Sequence, residues 1–267
     1  MSLFHLILVA LIQGITEFLP VSSSGHLILL PALTGMEDQG QMIDIAVHVG
    51  TLFAVILYFQ KDVRVAASGV PRLVRGKIDT QGAWLAMLLL IATIPVLLFG
   101  GFLKLTGFDA HLRSVALIGW TMLIFGLVLY WTDQKGAVDR KAEQWSMKHA
   151  FIMGLWQALA LIPGTSRSGA TISGARALGY GREDAAKLAM LMSIPTILAS
   201  GLALGYDVAG QANMAVAKDI AISALFSFIA ALFALTLMMR LLKSVSFTPY
   251  VIYRIALGIA LLVYAYS

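Results

Sequence analysis

The chain contains no cysteine, which excludes disulfide bonds and thiolate metal sites outright. It is also poor in charge: Asp, Glu, Lys and Arg make up 12% of its 267 residues, while 59% are hydrophobic. A soluble domain is about one-quarter charged and about half apolar, so the balance points away from a water-soluble globule. No basic n-region precedes the first apolar run, so residues 3–19 read as mature structure rather than a cleavable signal. The net charge of +5 does not indicate nucleic acid, because Lys and Arg are dispersed among loops and interleaved with Asp and Glu.

What the sequence does have is apolar length. Segments 84–103, 115–131, 188–206, 220–239 and 250–266 are nearly free of charge. Each is about the length needed to span a hydrocarbon layer of about 30 Å at roughly 1.5 Å per residue. A sixth segment, 41–59, carries Asp44 and His48 but is otherwise apolar. The expectation is an all-α polytopic membrane protein with six transmembrane helices.

Loop charge orients them. The linker 61–80 holds Lys61, Arg64, Arg72, Arg75 and Lys77, and 133–148 holds Lys135, Arg140, Lys141 and Lys148. Alternate linkers are poorer: 31–40 has none, 104–113 has Lys104 and Arg113, and 207–218 has only Lys218. Cytoplasmic placement of the rich loops satisfies the positive-inside rule.

The remaining apolar stretches are interrupted. Segment 3–30 is broken by Pro20, Ser22, Ser23, Ser24 and Gly25, and 149–178 by Pro163, Gly164, Thr165, Ser166, Ser168 and Gly169. Two half-helices meeting at each break predict a re-entrant hairpin; a continuous helix through Pro20 is the alternative. Irregular backbone at membrane depth requires protein or a water-filled cavity around it. Displacing the first hairpin by 144 residues aligns Leu11 with Leu155, Gln13 with Gln157, Ser22 with Ser166, Ser24 with Ser168 and Gly25 with Gly169. Three long segments follow each hairpin, so the halves, about 1–132 and 149–267 within one membrane domain, would be oppositely oriented about a cytoplasmic linker. Such an inverted-topology repeat points to a binding site at the breaks.

The chemistry-bearing residues gather there. Gln13 and Glu17 share one helix face at a spacing of four. Glu17 is an ionisable group among Ile, Phe and Leu, where leaving it unpaired is costly. Ser22, Ser23 and Ser24, then Gly25 and His26, supply hydroxyls, backbone N–H groups and a base. Alone, the serines would be an N-cap and turn. In the second break, Arg167 is flanked by Ser166 and Ser168, with Thr171 beyond, at a helix start. A guanidinium and a helix N-terminus together make an anion receptor, and its partner is either Glu17 or a ligand phosphate. Phosphoryl transfer fits this set, since its catalysis is mostly positioning and charge stabilisation. His48 and Arg254 are left open between cavity-facing and internally paired roles. His5, His111 and His149 read as interfacial, and Glu37 and Asp38 as a solvated outer loop.

Gln13–Glu17 followed by Pro20-Val-Ser-Ser-Ser-Gly-His26, and Pro163-Gly-Thr-Ser-Arg-Ser-Gly-Ala-Thr171, resemble the two motifs of the bacterial undecaprenyl-diphosphate phosphatase family, also called the bacitracin-resistance family. The resemblance spans essentially the whole chain. It implies a phosphatase of the bacterial cytoplasmic membrane that converts the C55 isoprenyl diphosphate carrier to undecaprenyl phosphate for peptidoglycan synthesis, and the leading expectation is a site open toward the outer face. It implies Glu17 as an essential acid aiding the base or binding Mg²⁺ or Ca²⁺, Ser23 and His26 as nucleophile or general acid/base, and Arg167 as the diphosphate clamp. Ser166, Ser168 and Thr171 would help, with Gln13 and Ser24 also contacting substrate. Gln13 replaces the Glu of many members, so a scheme needing two carboxylates on a metal is weakened. The expected partners are the lipid diphosphate and the membrane; nucleic acid is excluded and a homodimer is left open. A carrier or flippase for a lipid phosphate is the alternative from another class, on the architecture alone.

Overall fold

The computed structural model describes residues 1–108, 112, 114–136, 138–207 and 214–267. His111, Arg113 and the middle of the 207–218 linker therefore lie outside the described residues. Eleven α-helices occur among the described residues: α1 (Leu3–Phe18), α2 (Ser23–Thr34), α3 (Gly40–Tyr58), α4 (Gln60–Val74), α5 (Gln81–Thr106), α6 (Val115–Lys135), α7 (Met147–Leu159), α8 (Arg167–Ala177), α9 (Arg182–Asp207), α10 (Met214–Leu241) and α11 (Thr248–Tyr266).

Six of these are long and apolar enough to cross a membrane: α3, α5, α6, Arg182–Gly205 of α9, Ala217–Leu241 of α10, and α11. They are the six expected segments. Their outer surfaces carry Leu98, Phe102, Phe233 and Ile252, each at least 60% exposed. An apolar exterior of this kind belongs in lipid. Hydroxyls set the starts: Ser2 accepts from the His5 N–H, Thr80 from Ala83, Ser114 from Leu117 and Ser146 from His149.

The 61–80 linker holds a helix that its charge concealed. Lys61, Arg64 and Arg72 line the polar side of α4, which lies against the start of α5. The approach is close because Gly69 meets Gly82; a Cβ at Gly69 would stand 2.0 Å from the Gly82 carbonyl carbon. Arg72 donates to both oxygens of Asp79 at 2.8 and 2.5 Å, closing the turn between the helices. The Arg72 hydrogen bonds hold the Asp79 carboxyl below its ordinary value.

Packing crosses between the two ends of the chain. α1 lies along α10, α7 along α5, and α3 against α10, while α6 pairs with α11. α9 contacts α3, α5 and α8, and the main core cluster includes Phe18, Leu52, Met153, Met190 and Leu235.

α9 begins six residues before the expected apolar segment because its charges are partnered. Arg182 donates to Asp133 at 2.7 Å, and Lys187 pairs with Asp62 at 2.8 Å. Asp133 is 2% exposed and also accepts from the Phe247 N–H. Arg176 lies 3.2 Å from the same carboxylate and donates to the carbonyls of Tyr180, Asp133 and Gly136. Arg176 and Arg182 thus join the ends of α6, α8, α9 and α11.

Candidate active site

Both interrupted segments break by the same device. α1 stops at Phe18, with Leu19 extended, so no helix continues through Pro20. Ser22 then takes φ 75°, and its Oγ accepts from the Gly25 N–H at 3.3 Å to start α2. After α7, Ser166 takes φ 71°, and its Oγ accepts from the Gly169 N–H at 3.1 Å to start α8. Ser22 and Ser166 are the non-glycine residues with positive φ among the described residues. Such backbone is uncommon and persists where its surroundings over-determine it.

The two breaks lie against each other. Ser168 Oγ donates to the Leu19 carbonyl at 2.9 Å, and Thr121 Oγ1 of α6 donates to the Pro163 carbonyl at 2.6 Å. Gly164, at φ 88°, fits because a Cβ there would stand 2.1 Å from Thr121 Oγ1. Arg254 of α11 is fully buried and clamps both. Its Nη1 donates to the Pro20 carbonyl at 3.2 Å, and its Nη2 to those of Gly164 and Thr165 at 3.0 and 2.9 Å. Further bonds reach the Met122 and Thr121 carbonyls. Of the two readings the sequence left for Arg254, the internal one is observed.

At the junction, Glu17 is 6% exposed and surrounded by donors. Arg167 Nη2 lies 2.6 Å from Oε1. Gln13 Nε2 donates to Oε2 at 2.8 Å and Ser23 Oγ at 2.7 Å. Arg167 Nη1 is buried without a hydrogen-bond partner among the described residues. Glu17, Ser23 and Arg167 face a cavity of about 150 Å³ that is also lined by Ser22, Ser24, His48, Ala160 and Ser166. Its walls combine one cation, one carboxylate, four hydroxyls and an imidazole, a set suited to holding phosphate and activating a hydroxyl.

The other expected residues sit elsewhere. His26 does not line the cavity: Nδ1 is 2.7 Å from the Ser22 carbonyl, and Nε2 is 2.6 Å from the hydroxyl of Tyr253, on which the ring stacks. The carbonyl only accepts, so Nδ1 carries the proton and Tyr253 donates to Nε2. Ser168 and Thr171 are buried and turned to backbone, Thr171 donating to the Arg167 carbonyl at 2.8 Å. Gln13 lies behind Glu17, fully buried. Tyr253 carries no sequence signal beyond its position next to Arg254.

No group of three or more His, Asp or Glu residues positioned to hold a metal occurs among the described residues. Glu17 already accepts on both oxygens, so the protein offers a cation one carboxylate and hydroxyls rather than a cage.

The bacitracin resistance protein BacA family matches residues 6–260 of the chain. The chain belongs to that family. Across its whole length it is 73% identical to the undecaprenyl-diphosphatase of Dinoroseobacter shibae and 69% identical to that of Roseobacter denitrificans, covering 100% of both chains in each case. It is 45% identical to the undecaprenyl-diphosphatase of Saccharophagus degradans over 262 residues, covering 98% of this chain and 97% of the relative.

Proposed function

We propose that the chain hydrolyses undecaprenyl diphosphate to undecaprenyl phosphate and phosphate, in the cavity between the two breaks. The observation that carries the reading is Arg167: one nitrogen is tied to Glu17 and the other is a buried, unused donor at a cavity of hydroxyls. A phosphate oxygen satisfies such a donor. Seven-tenths identity to relatives named for the diphosphatase activity supports the substrate. Removing the diphosphate restores the carrier for cell-wall synthesis and leaves less of the form that bacitracin captures.

Ser23 is the nucleophile in this account, because its hydroxyl already donates to Glu17 and lines the cavity. Ser23 Oγ attacks the terminal phosphorus, the bond to the bridging oxygen breaks, and undecaprenyl phosphate departs. Glu17 receives the Ser23 proton. Arg167 stabilises charge on the transferring phosphoryl group, and water then cleaves the phosphoserine. His26 holds the break through the Ser22 carbonyl rather than attacking. Mg²⁺ or Ca²⁺, when bound, would rest on Glu17 and the substrate's phosphates and neutralise their charge.

The setting is a bacterial inner membrane, with the cavity open to the outer face. At about 1.5 Å per residue, α1 and α7 are too short to cross the layer, which supports re-entrant hairpins. Matching breaks at Ser22 and Ser166, and the reciprocal packing of α1 on α10 and α7 on α5, support an inverted repeat. The same reciprocity favours a second reading, a carrier for lipid phosphate. Purified protein in detergent separates the two, because transport has no meaning there. Phosphate release from a C55 diphosphate is the expected result; none from folded protein would leave the carrier.

A further inference from the structure

His48 stands on α3, outside both breaks, yet its imidazole faces the reacting groups. Its Nδ1 is 2.7 Å from the Asp44 carbonyl. A carbonyl only accepts, so Nδ1 carries the proton and Nε2 offers a lone pair to the cavity. Nε2 lies 4.0 Å from Glu17 Oε2, a gap that a bridging oxygen spans and a direct hydrogen bond does not. The hydroxyls on the same walls are occupied: Ser22 holds the Gly25 N–H and contacts Ser24, and Ser166 holds the Gly169 N–H and contacts Ser168. His26 has both nitrogens engaged away from the cavity.

Hydrolysis of the phosphoserine needs an acceptor of this kind. Glu17 then holds the serine proton and must return it to Ser23 Oγ as that oxygen leaves. It cannot also orient the incoming water. We infer that His48 does so, accepting a hydrogen bond at Nε2 from the water that attacks phosphorus; this rests on the Ser23 reading above. The water oxygen bonds to phosphorus and the P–Oγ bond breaks. Ser23 regains its proton from Glu17, and both water protons leave with the phosphate as dihydrogen phosphate. The role is orientation by a single acceptor, so a glutamine carbonyl oxygen can supply it.

The test compares His48→Ala, His48→Leu and His48→Gln in purified protein, with C55 diphosphate labelled on its terminal phosphate. Steady-state phosphate release should fall about 100-fold in the Ala and Leu variants. A burst of undecaprenyl phosphate and labelled Ser23 should persist in both, and Gln should recover most of the rate. Leu keeps the side-chain volume, so a packing defect confined to Ala is exposed. Wild-type phosphate release in Ala and Leu would overturn the inference, as would a Gln variant as slow as Leu or a burst lost in the variants while the wild type still forms labelled Ser23. Slow release with Gln recovery but no labelled enzyme would instead overturn Ser23 as nucleophile, leaving His48 to orient a water that attacks directly.

Discussion

Glu17 and Arg167, 150 residues apart in the chain, meet at 2.6 Å where the two breaks touch. The pair is nearly enclosed, with side-chain exposures of 5% and 16%. Two consequences follow from that enclosure. Removing one partner strands the other, and the guanidinium must share itself with an arriving phosphate.

Arg167→Ala should lower kcat/KM by about 100- to 1,000-fold, the scale of losing one group that stabilises transition-state charge. Arg167→Lys should recover little, since an ammonium cannot hold Glu17 and phosphate in one fork. Phosphate-release kinetics on variants with matched membrane insertion check this.

Arg254→Met should act through architecture. It frees the carbonyls of Pro20, Gly164 and Thr165, each buried acceptor worth about 1–3 kcal/mol when unsatisfied. The melting temperature in detergent should drop and kcat fall with it. A variant with wild-type melting and turnover would remove Arg254 from its bracing role.

Chelation should stop turnover, and either Mg²⁺ or Ca²⁺ should restore it, because the hard oxygen donors here do not discriminate strongly by geometry. Melting of the unliganded protein should be nearly unaffected, since a cation resting on substrate phosphates contributes little without them.

The absence of cysteine makes the topology directly testable. Asp38→Cys should react with an impermeant maleimide from outside intact cells, and Lys141→Cys only after permeabilisation. The reverse pattern would invert the orientation.

The six long helices were legible because blocks of uncharged residues satisfy the length and composition a bilayer demands. Gln13, Glu17 and Ser23 were legible because a four-residue spacing and a Pro/Ser break place polar groups where lipid makes them expensive. α4 was hidden: Lys61, Arg64 and Arg72 read as loop charge, and only Gly69 against Gly82 reveals the packing. The direction of His26 was unreadable because it depends on Tyr253, 227 residues away. His48 and Arg254 were visible as ionisable residues in apolar segments. Their opposite fates, one facing the cavity and one bonded to carbonyls, are set by contacts between distant helices. The junction that Asp133 forms with Arg176 and Arg182 is likewise set by contacts between helices distant in the chain.

The most direct measurement is acid-quenched single turnover with a lipid diphosphate labelled on its terminal phosphate, followed by mapping of the labelled peptide. The account predicts label on Ser23, lost in Ser23→Ala and strongly reduced in Arg167→Ala. Label on any other residue, or wild-type turnover by Ser23→Ala, would contradict it.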